Sequence, residues 1–371
     1  MKLKSISLSV AFGLIGISAS HVAVAQGSLV TQTVCARVCL KKFVDEYVAA
    51  MLKRDTAAIS IASNVKVAEN AAIIRLGEGM DWKTGKKFFS TPSSTQYVAD
   101  TQSGEIARMG IIDLDGQPAF YAVRLKVVNS KITEIETLVG PESLARPFQP
   151  EGYLWREAPF IREIPATIRS SRAQLLKTAG TYWAVATTTH KGADVPYSVD
   201  CIHVENGMNT DWERPLDSIE AITPEENPVS MFDGRIWTCE REVNLTTRSF
   251  EKARGLRYLV DEERGLVMAW TIVDKVTGNA GGGGGMTQSV NGVQRTAPEY
   301  GPPSRGADGW PAQGGPGGGP GGAPGGGMAA GAPAAEQPSL YHAALVRIVN
   351  GKIHREQFFQ VNVPRNSATP F

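Results

Sequence analysis

The sequence predicts an α+β protein made of two similar domains, each with helices at one end and a curved antiparallel sheet at the other. The first observation is a repeat, in which residues 97–113 align without a gap with residues 258–274 at an offset of 161. The second is that residues 121–132 align with residues 342–353 at an offset of 221. The third is the alternation of apolar and polar residues within these segments, the period of half-buried strands.

The first residues predict a secretory signal peptide, residues 1–25. Lys2 and Lys4 precede an apolar run, and Ala23-Val24-Ala25 provides small residues for cleavage. An uncleaved anchor is the alternative, but the run is short for a span and no later segment is long enough. We therefore expect a periplasmic or secreted chain with no membrane span after cleavage.

Each domain is predicted to open with an amphipathic helix. Apolar residues recur at helical spacing in both copies: Leu40, Phe43, Val44, Tyr47, Val48 and Met51 in the first, and Leu175, Ala179, Tyr182, Trp183 and Ala186 in the second.

Short strands and hairpins are predicted next. "VAEN" at 67–70 resembles "HVEN" at 203–206, and the dipeptide Asp-Trp occurs at 81–82 and again at 211–212. The segments "VNSK" and "VNGK" predict two-residue hairpin turns of the Asn-Ser and Asn-Gly type. The predicted organisation is domain 1 over 30–140, a Pro-rich connector over 141–169 and domain 2 over 170–362.

The second copy contains a 60-residue insertion relative to the first, since the two offsets are 161 and 221. Its Gly/Pro-rich composition, at about 277–338, predicts a long disordered hairpin loop rather than a domain boundary. A phosphate-binding loop is not supported, because the glycines do not open a helix and no G-K-[ST] follows.

Four cysteines allow three pairings. We favour Cys201 with Cys239 and Cys35 with Cys39, the latter one helical turn apart. The alternatives are two buried thiols or a crossed pairing. We predict no metal site, because no second close Cys or His pair completes a zinc site.

Charge excludes some partners. The chain has 38 Lys and Arg against 37 Asp and Glu, without a basic patch interleaved with aromatic residues. Nucleic acid and an electrostatic hold on a membrane are therefore not expected.

The segment "FYAVRLKVVNSKITEIETLV", after an amphipathic helix, resembles the NTF2-like superfamily in its SnoaL-like branch. Two copies behind a signal peptide, opening with "CARVCLKKFVDEYVAAML", look like an uncharacterised secreted family that is also common in fungi. The resemblance covers most of 35–140 and 170–362 outside the insertion. It implies cone-shaped domains that enclose an apolar pocket, chemistry without a cofactor, and two copies packed sheet to sheet as an internal pseudo-dimer.

His342 is the first candidate for catalysis. It shares strand parity with Ala344, Val346 and Ile348 and stands where the first copy has Tyr121. Histidine takes or gives a proton near neutral pH. The alternatives are a structural histidine bonded to backbone and one exposed at the strand start.

His203 and Glu205 form the second candidate, because residues two apart on a strand face the same way. A carboxylate can orient a histidine and raise its basicity. The first copy has Val67 in place of the histidine and keeps the carboxylate as Glu69. For Glu69 and Glu205, binding and structural roles remain equally open.

Aromatic residues complete the predicted site. Tyr258 is a candidate to stabilise a developing oxyanion. Its equivalent Tyr97, with Tyr121, is a candidate for substrate binding. Trp82 and Trp212 are candidates for stacking on an aromatic ligand, with core packing as the favoured alternative.

These residues favour an exported, cofactor-independent lyase or isomerase acting on a small apolar molecule, aromatic ones included. Proton abstraction would be followed by loss of water or formaldehyde, or by a double-bond shift. The alternative is a non-catalytic ligand-binding or assembly module. No motif of a serine hydrolase or zinc protease is found in the sequence.

Overall fold

The computed structural model describes residues 35–89, 96–154, 160, 162–209, 238–276, 288–290, 293–295 and 337–371. The predicted signal peptide, Trp212 and most of the glycine-rich insertion lie outside these residues. Residues 34–371 belong to one compact unit.

Within the described residues, the first half contains two α-helices and seven strands. In chain order they are α1 (Arg37–Lys53), β1 (Ile61–Glu69), β2 (Ala72–Ile74), α2 (Met80–Thr84), β3 (Gly85–Phe89), β4 (Gln96–Asp100), β5 (Glu105–Leu114), β6 (Gln117–Val128) and β7 (Lys131–Pro141). The strands form one sheet in the order β2-β1-β7-β6-β5-β3, and β4 also pairs with β5.

The second half repeats this plan after a short helix, α3 (Pro150–Leu154). Its elements are α4 (Arg172–Ala186), β8 (Tyr197–Glu205), β9 (Met208–Asn209), α5 (Cys239–Thr246), β10 (Phe250–Asp261), β11 (Leu266–Lys275), β12 (Gln288–Val290), β13 (Val293–Arg295), β14 (Ser339–Val349) and β15 (Lys352–Val363). Six strands form a sheet in the order β10-β11-β14-β15-β8-β9, and β12 pairs with β13 alone.

The two sheets differ from the prediction in one respect: each contains a parallel pairing, β1 with β7 and β8 with β15. The remaining pairings are antiparallel in both sheets. The parallel pairing arises because the first long strand of each half lies beside the last. It places β8 next to β15, which matters for the site.

Both predicted hairpin turns are present. Asn129 and Ser130 have φ of 50° and 58°, and Asn350 and Gly351 have φ of 50° and 73°. A two-residue turn of this kind needs positive φ at both positions, which asparagine and glycine tolerate well.

The predicted apolar helix faces are buried. In α1, Leu40, Val44, Tyr47, Val48 and Met51 are buried, while Phe43 is only partly so. In α4 all five predicted residues are buried. Each helix packs its face onto its own sheet, which gives two separate apolar clusters.

The favoured cysteine pairing is confirmed: Cys35 is bonded to Cys39, and Cys201 to Cys239. Disulfides are typical of oxidising compartments. Within the described residues, no helix has the length and apolar character needed to cross a membrane.

A third apolar cluster contains residues of both sheets. Met109, Phe120 and Leu138 of the first sheet share it with Trp270 and Phe359 of the second. The outward faces of the two sheets are therefore packed against each other.

Two reciprocal ion pairs link the halves. Arg37 of α1 binds Asp261 of β10 through two bonds of 2.5 and 2.6 Å. Arg172 of α4 binds Asp100 of β4 through two bonds of 2.8 and 2.6 Å. Asp100 and Asp261 are the aspartates that align at offset 161. Each of these aspartates is therefore paired with the arginine that begins the first helix of the other half.

Candidate active site

His342 lies near the start of β14, in the interior of the second half. It is 1 % exposed. Three aromatic rings surround it edge-on, with centroid distances of 5.4 Å to Trp183, 6.0 Å to Phe250 and 6.3 Å to Phe358.

Neither ring nitrogen of His342 has a hydrogen-bond partner among the described residues. Burial, with smaller contributions from the charges of Lys275 and His203, lowers the pKa of His342 to about 3. The ring is therefore neutral at pH 7. A neutral imidazole offers one N–H donor and one nitrogen acceptor to a bound molecule.

His203 is held on β8 by an ion pair with β15. Its Nδ1 lies 2.9 Å from Oε2 of Glu356, the residue directly opposite in the parallel register. Its Nε2 lies 3.9 Å from Oε2 of Glu205. Burial lowers the pKa of His203, but the carboxylates of Glu205 and Glu356 outweigh it and raise the pKa to about 10. Tyr197 also donates to Glu356 at 3.2 Å.

Gln360 connects the two histidine regions. On β15 it stands directly opposite His342 of β14, and its side-chain amide donates to Glu205 at the end of β8. His342, Gln360 and Glu205 therefore form a polar row across three adjacent strands.

Asn206 fixes the position of Glu205. Its side-chain amide donates to the carbonyl of Gln360 at 3.0 Å and accepts from the Gln360 N–H at 3.0 Å. Asn70 makes the same two bonds to Val139 in the first half, at 2.9 and 2.8 Å. Both asparagines have φ near +45°, which ends the strand and turns the chain.

Glu242 approaches the same cluster from α5. It is buried, and its carboxylate joins the imidazole of His203 and the carboxylate of Glu205 in a group whose donor atoms all lie within 4.8 Å of one another. The Cys201–Cys239 disulfide joins α5 to β8 immediately beside these residues. Imidazole and carboxylate are both metal ligands.

The corresponding positions of the first half are either apolar or hydrogen-bonded to other groups of the first half. Val67 faces Ile135 where His203 faces Glu356. Glu69 accepts from the backbone N–H groups of Met80 and Asp81 at the start of α2.

The remaining polar groups of the first half bond to one another. Tyr121 donates to Asp81 at 3.1 Å, and Trp82 donates through its ring nitrogen to Tyr47 at 3.0 Å. Desolvation and the nearby Glu69 raise the pKa of Asp81. The candidates Glu69, Tyr121 and Trp82 therefore come together, but as a hydrogen-bonded core.

The equivalent tyrosines lie away from these clusters. Tyr97 donates to Asp45 of α1 at 2.7 Å. Tyr258 has no partner for its hydroxyl among the described residues, because Gly180 stands at the position equivalent to Asp45. Burial raises the pKa of Tyr258 to about 12.

The structure does not bring Tyr258 close to His203. Tyr258 is on β10, and three strands separate β10 from β8, a distance of about 19 Å along the sheet at ~4.8 Å per strand. Trp212 lies outside the described residues.

Glu242, Glu356 and Gln360 were missed by the sequence analysis. A signal was present: at offset 221, Glu356 aligns with Ile135 and Gln360 aligns with Val139. Both are polar residues at positions that the other copy fills with apolar ones. Glu242 had no such signal, since α5 and α2 do not align closely.

A family model described as a domain of unknown function, DUF8021, matches residues 168–358, more than half of the 371-residue chain. The chain belongs to the DUF8021 family. The DUF8021 match includes His203, Glu205, Glu242, His342 and Glu356. No curated protein matches the chain.

Three solved structures resemble parts of this DUF8021 chain. AclR of Streptomyces galilaeus, a proposed hydroxylase, is 14 % identical over 29 % of this chain and 82 % of its own, with a TM-score of 0.23. An NTF2-like protein of unknown function from Cytophaga hutchinsonii is 13 % identical over 27 % and 88 %, with a TM-score of 0.20. A protein from Sphaerobacter thermophilus is 17 % identical over 28 % and 96 %, with a TM-score of 0.20.

Proposed function

We propose that the second half is a cofactor-independent lyase or isomerase that moves a proton on a small, largely apolar carbonyl compound. The observation that carries this proposal is His342, a fully buried imidazole with both nitrogens unpartnered among the described residues. A buried polar group without a partner costs about 1–3 kcal/mol. A substrate oxygen that bonds to it would remove this cost.

Glu205 is the proposed base. It is only partly buried, and it ends the polar row that begins at His342. Glu205 would take the proton from the carbon next to the substrate carbonyl, and the C–H electrons would form a carbon–carbon double bond. The carbonyl oxygen would then carry the developing charge and accept the N–H of His342, as neutral imidazoles do for enolates.

Three reactions are compatible with this arrangement, and in each of them Glu205 gives the proton it has taken back to the substrate. In a dehydration, Glu205 returns it to a departing hydroxyl, which leaves as water. In an isomerisation, it returns the proton to another carbon. In a loss of formaldehyde, Glu205 instead takes the hydroxyl proton, the carbon–carbon bond breaks, and the proton returns to carbon.

His203 and Glu356 support this arrangement rather than contact the substrate. Their pair places a charged hydrogen bond beside Glu205 and fixes the facing ends of β8 and β15. Phe358 lies between the two histidines, with its ring 4.9 Å from that of His203, and together with Trp183 it gives the proposed substrate an aromatic surface.

The first half is proposed to be a scaffold, since its polar candidates bond to each other. We further infer that the halves are NTF2-like copies of one duplicated domain, packed as an internal pseudo-dimer. The shared strand order and the reciprocal pairs Arg37–Asp261 and Arg172–Asp100 support this inference. Export by the signal peptide is supported by the two disulfides; N-terminal sequencing of the exported chain should begin at Gln26.

An assembly module is less well supported. Such a module needs an exposed apolar patch. The large apolar side chains exposed within the described residues are scattered over both halves, and the outward sheet faces are covered by each other.

The activity is tested by incubating the full mature chain, with a chelator and no cofactor, with hydroxylated aromatic and terpenoid carbonyl compounds. Mass spectrometry should detect loss of water or formaldehyde, or a new isomer. Glu205→Gln and His342→Phe should each reduce turnover at least 100-fold, the range of general acid–base effects. His354→Ala should not, because His354 pairs with Asp200 outside the row.

Two results would count against the proposal. If both variants keep the turnover of the parent chain, Glu205 and His342 are not the catalytic residues. Compounds that bind and return unchanged would favour a binding protein instead.

A further inference from the structure

We propose that His203, Glu205 and Glu242 bind one divalent first-row transition-metal ion. The three side chains supply one imidazole nitrogen and two carboxylate oxygens from two elements, β8 and α5. All three donor atoms lie within 4.8 Å of one another.

Ion binding requires a small contraction of the donor spacing and the loss of one proton, because the pKa of His203 is about 10 in the metal-free chain and its Nε2 must be deprotonated to bind an ion. Around an ion at about 2.1 Å from each ligand, donors in a tetrahedral site are about 3.4 Å apart. The Nε2 of His203 and Oε2 of Glu205 are 3.9 Å apart. Rotation of the two glutamate side chains is sufficient to close such gaps, because their terminal torsions are broad.

The backbone that carries the ligands is fixed by a covalent bond. Cys201 lies two residues before His203 on the same face of β8, and Cys239 lies about one helical turn before Glu242. The disulfide between them therefore sets the distance between the strand and the helix at the level of the ligands. Sites held on rigid elements in this way are ordered before the ion arrives.

Glu356 gives His203 the orientation of a metal ligand. It contacts Nδ1 at 2.9 Å, which directs Nε2 towards Glu205. A carboxylate on the outer nitrogen is typical of metal-bound histidines, where it fixes the tautomer and raises the basicity of the ligand.

The first half lacks the imidazole of this cluster. It keeps the carboxylate of Glu205 as Glu69, but Val67 stands in place of His203 and faces Ile135.

The ligand set favours an ion that is intermediate between hard and soft metal ions. One imidazole suits Zn²⁺, Fe²⁺ or Ni²⁺, and two carboxylates also suit Mn²⁺. Mg²⁺ prefers six oxygens and retains water. Zn²⁺ is therefore the appropriate probe, and Mg²⁺ is the negative control.

Such an ion would act as a regulator of the proposed reaction. Glu205 bound to an ion cannot accept a proton, so the ion should inhibit turnover. Ion binding does not depend on that reaction being correct, since it is measured without any substrate.

The experiment is calorimetric titration of the chelator-treated, disulfide-bonded mature chain with Zn²⁺ and with Mg²⁺. We expect one Zn²⁺ per chain and no Mg²⁺ binding. His203→Ala and Glu242→Gln should each weaken Zn²⁺ binding at least 10-fold. His354→Ala is the matched control, since His354 also stands on a strand of the β8–β15 pair beside a carboxylate, Asp200, at 3.2 Å.

The Glu356→Gln variant distinguishes a metal-ion site from a cluster that serves only as the His203–Glu356 ion pair. It should weaken Zn²⁺ binding about 10-fold, the usual effect of a residue behind a ligand, and alter the Co²⁺ absorption spectrum without abolishing it. Circular dichroism confirms that each variant is folded. No Zn²⁺ binding to the parent chain, or equal loss in His354→Ala and His203→Ala, would overturn the proposal.

If Zn²⁺ binds but the chelated protein shows no turnover on any compound, the ion site stands and the proposed reaction fails. If turnover is found and Zn²⁺ does not bind, the proposed reaction stands and the ion site fails.

Discussion

His342 on β14 and Tyr121 on β6 align at offset 221, and both side chains are buried. They differ in whether the buried polar group has a hydrogen-bond partner. The Tyr121 hydroxyl donates to Asp81 at 3.1 Å. The ring of His342 packs edge-on against aromatic rings, and its two nitrogens have no partner within the described residues. A side chain that is unfavourable for stability at a core position is typical of a functional site.

The two positions should therefore respond oppositely to phenylalanine. His342→Phe should raise the free energy of unfolding by about 1–3 kcal/mol, because it removes an unpaired polar ring and keeps the aromatic shape. Tyr121→Phe should lower it by a similar ~1–3 kcal/mol, because Asp81 loses a donor. Urea unfolding of both variants measures this. A destabilised His342→Phe protein would indicate a structural histidine.

His342 also predicts part of the pH dependence of stability. Its pKa is about 3 in the folded chain and 6.5 when unperturbed. Between these values the unfolded chain binds a proton that the native ring does not, so stability is complete above pH 6.5 and falls as the pH decreases. The slope is at most about 1.4 kcal/mol per pH unit.

Comparison with His342→Phe isolates this effect. The variant should lose about 2–3 kcal/mol less than the parent between pH 7 and pH 4.5. Equal losses would show that His342 is protonated in the native state.

At the scale of elements, the halves are joined by α1 and α4 through their reciprocal arginines. Asp100 is completely buried and also accepts the N–H of Val260 at 3.0 Å. Removing its cation would leave a buried charge without its counterion. Arg172→Met should therefore lower the free energy of unfolding by about 2–4 kcal/mol, and Arg37→Met should have a similar effect through Asp261.

The control is Lys42, which lies on α1 with Arg37. Lys42 pairs with Glu46 on the exposed surface of α1, so Lys42→Met should change stability by less than about 0.5 kcal/mol. Chemical denaturation of the three variants tests the ranking. Equal values for Arg172→Met and Lys42→Met would show that the reciprocal pairs do not hold the halves together.

The two disulfides should differ in their effect on stability. Cys201–Cys239 spans 38 residues and Cys35–Cys39 spans only 4. On the chain-entropy model the first contributes about 4 kcal/mol and the second about 2 kcal/mol. Paired Cys→Ser variants should therefore melt at different temperatures, with the Cys201/Cys239 variant lower. The opposite order would indicate that the short bridge fixes α1 more than its length suggests.

At the scale of the whole molecule, the sequence predicted what is local or repeated. Period-2 alternation located the strands, "VNSK" and "VNGK" located the turns, and the offset of 161 aligned the two aspartates. The partners of those aspartates were not predicted, because Arg37 and Arg172 reach across the interface between the sheets. No short-range pattern records a contact between residues 224 positions apart.

The site was predicted only in part for the same reason. His203, Glu205 and His342 stood out as polar residues on apolar strands. Glu356 and Gln360 acquire their meaning from the parallel pairing of β8 with β15, which the expectation of a purely antiparallel sheet did not include. Glu242 depends on the Cys201–Cys239 bridge to bring α5 to β8.

The packing of the two sheets against each other within one chain has a consequence for which substitutions the protein can accept. A dimer of identical subunits receives every substitution twice, so an alteration that suits one cavity is imposed on the other. Here the two packed sheets are different segments of one chain, so a substitution changes only one of them. The first half can therefore have Val67 and Ile135 where the second half has His203 and Glu356, while both halves contribute to the same interface.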